Sequence, residues 1–351
     1  MNTSAAELFG SSHYHAIADD ALKDEDNAAW VMELEPEVRQ AWIERIRWIR
    51  LADRLAESEL VEGSSGQFQD FYTAWRWLSA TGKAQPVGEH RSLFESMRKR
   101  WFDQPDPTGK LAQRSWERYL ISLDRYSQKN LVFETIETFE TMLGDLASSF
   151  FQVLPFLSTQ TWQIVGAFGV VDQFYNTLRD LREDAEQGVC YLPTELLDRF
   201  GVTRSEILEL RAYENPGYRS MMEFWIYDYL PKLHRRAYPF ILSPDLHPSW
   251  QILRDWSLHR YRRIERVLRH CNYDYVRFPE VYWREVQRDL VLLLPSRWGN
   301  ATALSEKAVS FCDRRCKLRK FMGTSTIALN DYGLSKSEAG RKRSTGTSCS
   351  T

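Results

Sequence analysis

Residues 173–193 read QFYNTLRDLREDAEQGVCYLP, and they follow an uninterrupted apolar run, IVGAFGVV, at 164–171. On a helix, Asn176, Asp180 and Asp184 fall at i, i+4 and i+8 and share one face; Gln173 joins that face, while Arg179 and Glu183 lie on its flank. Like charges one turn apart destabilise a lone helix by a few tenths of a kcal/mol, so the pattern calls for a compensating cation. Mg²⁺ suits it, because that ion takes oxygen ligands and commonly combines one or two carboxylates with waters and substrate phosphates. Gly188 and Pro193 then mark the end of the helix and a tight turn.

A second acidic pair lies far upstream. Residues 50–57 read RLADRLAE, which sets Asp53 and Glu57 one helical turn apart, with Arg50 a turn earlier and Arg54 beside Asp53. Two helices that each present paired carboxylates can hold several Mg²⁺ ions between them. Such a cage fits a diphosphate, and aromatic, apolar surroundings fit a hydrocarbon tail.

The bulk of the chain agrees with a soluble globular protein. It has 351 residues, 43% hydrophobic and 27% charged, and a formal net charge of −2, which gives no reason to expect nucleic acid as the partner. No stretch reaches the roughly 18 apolar residues of a membrane span, and the start lacks the charged and apolar regions of a secretory signal. Five scattered cysteines fit a reducing, cytoplasmic setting. Spacings of three and four between apolar residues predict helices over 27–57, 110–154, 158–187, 216–237, 245–272 and 277–294, with loops at 62–67, 81–90 and 103–109. The expected organisation is a flexible segment over 1–25, one all-α domain over 26–297, and a disordered extension over 298–351 that ends in a polar, basic tail.

These residues resemble a known family, the squalene/phytoene synthases, which join two prenyl diphosphates head to head. The family's second acidic motif has the form Q-x-x-N-x-x-R-D-x-x-E-D, followed by G-x-x-Y-L-P. Gln173, Asn176, Arg179, Asp180, Glu183, Asp184, Gly188, Tyr191, Leu192 and Pro193 fill those positions. The first motif, R-x-x-D-D-x-x-D, is answered by Arg50, Asp53 and Glu57, with Arg54 in place of the second Asp. LEPEVRQAW at 34–42 and YRRIERVLRHCNYD at 261–274 are similar to two further family segments.

The resemblance implies an all-α isoprenoid synthase fold, a single helical domain around a central apolar cavity with the two acidic motifs facing across it. It implies Mg²⁺ held by Asp53, Glu57, Asn176, Asp180, Glu183 and Asp184. Catalysis would rest on Asp53, Glu57, Arg179, Asp180 and Asp184, and substrate binding on Arg50, Arg54, Gln173, Asn176, Tyr191 and Tyr261. The implied substrates are farnesyl or geranylgeranyl diphosphate. NADPH use stays open, as does a peripheral membrane contact for product release. Residues 139–174 and 222–240 would line the cavity.

Some positions depart from the family pattern. Thr138 stands where the family carries a cavity tyrosine, Ala147 replaces a glycine and Asp145 is new; Arg125-Tyr126 answers the family's Arg-Tyr pair only with a gap. Near the amino terminus, Asp26-Asn27-Ala28-Ala29-Trp30 replaces a Ser-Phe pair. Two functions follow as expectations: an active Mg²⁺-dependent prenyl transferase, or a non-catalytic scaffold that keeps the fold.

Overall fold

The computed structural model describes residues 27, 29–62, 66–85, 90–103, 107–128 and 130–293. All of them fall in the first of two compact units, Met1–Trp298. The expectations for 1–25 and for 298–351, including the basic tail, lie outside the described residues.

Among the described residues every regular element is a helix, as the periodicity predicts. After a 3₁₀ turn, Ala29–Glu33, helix α1 spans Pro36–Glu62, with Pro36 at its first position, where the missing N–H costs nothing. Helices α2 (Gln67–Thr81), α3 (Arg91–Trp101) and α4 (Pro107–Tyr126) follow. They close over a cluster of fully buried rings, among them Phe71, Trp75, Trp101 and Trp116. Trp101 meets Trp48 of α1 edge to face, with ring centres 5.0 Å apart.

The single helix expected over 110–154 is broken. α4 ends at Tyr126, Asn130 takes a left-handed φ of 64°, and α5 begins at Ile136. Thr135 caps α5 by accepting from the Thr138 amide, 3.1 Å away. Small polar residues at caps compete with helix continuation, and the Thr135/Thr138 pair is the local stop signal that apolar periodicity overlooks. α5 (Ile136–Leu143) passes through a π-helical turn, Gly144–Ser148, into the short α6 (Ser149–Val153).

Helix α7 (Thr159–Glu186) is the central element. Its first half is buried on nearly all sides, at Val165, Gly166, Phe168, Gly169 and Val171, which explains why that half reads as a continuous apolar run. Gly169 lies so close to the π turn that a Cβ there would sit 2.6 Å from the Ala147 carbonyl oxygen. Short helices α8 (Thr194–Phe200) and α9 (Arg204–Leu208) lead to α10 (Pro216–Glu223), a second π turn (Phe224–Tyr229) and α11 (Leu230–Ile241). α11 packs along α7. Finally α12 (Pro248–His270) and α13 (Phe278–Leu293) complete the bundle.

The stretches expected to wall the cavity meet in an aromatic core. Phe174 of α7 lies 5.1 Å from Trp225 and 5.8 Å from Tyr229, and Trp225 stacks on Tyr229 at 4.4 Å with the planes 8° apart. Beside them a narrow slot of about 10 Å³, room for about one water molecule, is lined by Phe139, Thr177, Leu178, Leu181, Asp184, Tyr191 and Trp225 among others.

Candidate active site

The second half of α7 carries the acidic face out of this core. Gly188 adopts φ 76° just past the helix end, the Val189 amide donates back to the Asp184 carbonyl (2.8 Å), and the chain reverses. The reversal lays Cys190–Pro193 against 131–134. Arg204 ties the two segments by donating to the Cys190 (2.9 Å) and Leu131 (3.2 Å) carbonyls, and Phe133 stacks on Tyr191 at 6.2 Å. The opening stretch is therefore one device: the apolar run anchors the helix, the face projects from it, and the turn returns Tyr191 to that face.

Tyr191 records how near the two motifs lie. Burial pushes its phenol above the usual range, and the carboxylates of Asp184, Glu57 and Asp180 push it further. Glu57 belongs to α1 and the other two to α7, so carboxylates of both helices lie within electrostatic reach of one ring. On the α1 side Asp53 is half-buried and accepts a hydrogen bond from the Tyr119 hydroxyl of α4. Burial raises the Asp53 carboxyl, while the Tyr119 hydroxyl, Arg50 and Arg54 act against that rise. Arg54 thus adds a cation beside Asp53 where the resembled motif has a carboxylate. Glu57 is exposed.

On the α7 side Arg179 is buried and grips Asp180 with two hydrogen bonds of 2.7 Å. Its remaining nitrogen donates to Asn27 Oδ1 at 3.2 Å, and Arg260 of α12 donates to the same oxygen. Arg260 also pairs with Asp172, which accepts from the Tyr261 hydroxyl (2.6 Å) and from Asn176 Nδ2 (3.3 Å). Tyr261 is 2% exposed and stacks on Tyr175 at 4.2 Å, so it braces the network from inside. Asp184 and Gln173 are half-buried, and Glu183 is exposed.

The sequence reading missed four members of this assembly. Asp172 extends the i, i+4 series of Asn176, Asp180 and Asp184 by one turn, a signal hidden by the apolar run before it. Asn27, Tyr119 and Arg260 carry no local signal, because each meets its partner across a large separation in the chain. Thr138 is placed differently from expectation. It is exposed in the first turn of α5, and its Oγ1 donates to the Thr135 carbonyl (2.8 Å), so it caps a helix and does not line the interior.

No three His, Cys, Asp or Glu side chains among the described residues are drawn together as a ready-made metal cage. The donor chemistry nevertheless fits a hard divalent cation shared with a substrate. Every candidate ligand offers oxygen, and Asn176 Oδ1 is buried with no hydrogen-bond partner. An orphaned buried acceptor is costly unless something fills it.

An all-helical bundle in which two long helices carry acidic groups within electrostatic reach of one tyrosine is the architecture of the isoprenoid synthase folds. Residues 21–287 match the squalene/phytoene synthase family, and the chain belongs to that family. The chain is 42% identical over 60 residues to a 15-cis-phytoene synthase of Synechocystis sp., a match covering 17% of each protein. It is 33% identical over 115 residues to a 15-cis-phytoene synthase of Synechococcus elongatus, covering 32% of this chain and 34% of that protein. These matches span well under half of either relative's length. The fold is similar to that of a dehydrosqualene synthase solved with a ligand. The TM-score is 0.54 at 15% identity, covering 78% of this chain and 94% of the other.

Proposed function

We propose that the protein condenses two prenyl diphosphates, farnesyl or geranylgeranyl, head to head into a C30 or C40 isoprenoid and releases diphosphate. The observation that carries the reading is that Tyr191 shares one slot with Asp184 of α7 and lies within electrostatic reach of Asp180 on α7 and of Glu57 on α1. Asp53, Glu57, Asn176, Asp180 and Asp184 would hold Mg²⁺, with Glu183 on the rim. When bound, Mg²⁺ offsets the charge that develops on the departing diphosphate.

The chain's own groups do the rest. Arg50 and Arg54 bind diphosphate oxygens from α1, on the side where Asp53 is held in place by Tyr119. Arg179 holds Asp180 in one orientation through its paired hydrogen bonds. The apolar walls formed by Phe139, Leu178, Leu181 and Trp225 exclude water from the allylic cation left by ionisation of the first substrate. The double bond of the second substrate attacks that cation, and loss of a proton closes a cyclopropylcarbinyl diphosphate; its second ionisation releases diphosphate, and the rearranged cation loses a further proton to form the product.

One observation favours a second reading, a non-catalytic scaffold: the slot beside Asp184 is far too small for a prenyl chain unless its rings move. Incubation with each prenyl diphosphate and Mg²⁺ separates the two readings. An enzyme releases diphosphate and yields a C30 or C40 product by mass spectrometry. Asp180→Ala and Asp184→Ala each abolish release while the circular dichroism stays helical. Absence of release from the wild type with both substrates overturns the proposal.

A further inference from the structure

Asp172 lies one turn before Asn176 on α7, at the inner end of the acidic face, and is 7% exposed. Its two oxygens are used differently. Oδ1 accepts from the Tyr261 hydroxyl at 2.6 Å and from Arg260 Nη2. Oδ2 accepts from Asn176 Nδ2 at 3.3 Å. Arg260 is held in turn by Asn27 Oδ1, and Tyr261 by its stack on Tyr175 at 4.2 Å, so α12 clamps the carboxylate from one side. Asp172 is thus taken up by protein donors inside the bundle, and whatever it does for a ligand it does through a neighbour.

That neighbour is Asn176. A carboxylate paired with a guanidinium only accepts hydrogen bonds, so it decides which way the Asn176 amide turns. Nδ2 must face Asp172, because the reverse arrangement sets amide oxygen against carboxylate oxygen. Oδ1, the other arm, is thereby turned away from Asp172 and has no hydrogen-bond partner. Only that arm suits a hard cation, which takes oxygen and is repelled by an NH₂ group. An asparagine free to turn over would offer the wrong arm for part of the time.

We propose that Asp172 is a positioning residue: it holds Asn176 Nδ2 so that Oδ1 is the arm presented to a divalent cation bound together with diphosphate. The proposal rests on the metal-binding part of the function above and not on prenyl transfer. It holds equally for a chain that binds metal and diphosphate without turning substrate over.

The separate duties of Oδ1 and Oδ2 allow a nearly isosteric test. In Asp172→Asn the remaining oxygen keeps Arg260 and Tyr261, while an NH₂ group replaces Oδ2 opposite Asn176. Two NH₂ groups cannot pair, so the Asn176 amide turns over and withdraws its oxygen from the cation. Adding Asn176→Asp to the same chain puts an oxygen on both arms: one accepts from the new amide at 172, and the other serves the cation.

Mn²⁺ stands in for Mg²⁺ because electron paramagnetic resonance separates its free and bound forms. Titrating the full chain with Mn²⁺ and inorganic diphosphate, corrected by a titration without protein, reads metal affinity with no turnover. Wild type should bind saturably, and Asp172→Asn should bind about tenfold more weakly, the low end of the loss when a ligand's outer partner is removed. The double variant should return to within about threefold of wild type, a rescue that a merely structural role does not produce. A crystal structure of the wild type with Mn²⁺ and diphosphate needs no substitution and decides alone if Asp172→Asn fails to fold. In it the metal should sit on the Asn176 arm opposite the one bonded to Asp172. Unchanged affinity in Asp172→Asn, a double variant as weak as the single one, or a metal complex in which the Asn176–Asp172 bond is broken overturns the inference and leaves the proposed function standing. No saturable binding by the wild type overturns the metal reading itself, and this inference with it.

Discussion

Replacing Asn27 with alanine tests whether the amino-terminal departure from the family pattern is structural support for the site. Asn27 Oδ1 accepts from both Arg179, at 3.2 Å, and Arg260, and each of those guanidinium groups holds one aspartate of α7. A hydrogen bond to a charged donor contributes about 1.5–3 kcal/mol, and buried donors left unsatisfied add to the loss. Asn27 is only half-buried, so water replaces part of the oxygen. The net cost for Asn27→Ala should be about 2 kcal/mol, a factor of roughly 30 in the folding equilibrium. Asn27→Asp keeps an acceptor between two cations and should recover most of that loss. Urea denaturation reads the stability, and Mg²⁺-dependent diphosphate release reads the orientation of Asp180. Wild-type stability in the alanine variant, or no difference between the alanine and aspartate variants, would refute the bridging role.

Three further outcomes are expected. Thr138→Tyr should leave diphosphate release unchanged, since position 138 is exposed at the start of α5; a severalfold rise would show that the side chain reaches the site. Gly169→Ala should cost about 1–3 kcal/mol in chemical denaturation, because its Cβ would press on the Ala147 carbonyl at 2.6 Å and backbone cannot swing aside; unchanged stability would mean the two segments separate freely. His234, buried against Tyr175, has its pKa pulled down by burial to about 4 from 6.5. With the folded value below the unfolded one, the neutral ring favours folding above pH 6.5, and that stability fades as pH falls towards 4. Between pH 7.5 and 5 the wild type should therefore lose about 2 kcal/mol more than His234→Gln. Burial raises the neighbouring Glu265, which contributes with the opposite sign but is common to both proteins, so an equal loss would refute the assignment.

The helical class was legible because the apolar spacing of 3.6 runs through nearly every segment, and the second acidic motif was legible because its whole pattern is local to one helix. The break between α4 and α5 was not, because a cap made by Thr135 and Thr138 leaves the apolar period intact on either side. Helices α2 and α3, between loops read from Gly, Pro and Ser, went unassigned, although their Phe and Trp residues fill much of the core. The support of the site was hidden for a different reason. Tyr119 meets Asp53 across 66 positions and Arg260 meets Asn27 across 233, and such contacts exist only once the bundle has closed.

Helix α7 is 28 residues, about 42 Å, of continuous α-helix held at its buried end by the π turn and along its length by α11. Asp172, Asn176, Asp180 and Asp184 therefore behave as teeth cut into one bar, about 6 Å apart, and no tooth can shift alone. Whatever widens or narrows the gap across the site must come from α1, whose Asp53 is tied to α4 through Tyr119. Substitutions that adapt the site to a longer or shorter ligand should accumulate along the α1–α4 seam, leaving the bar itself uncut.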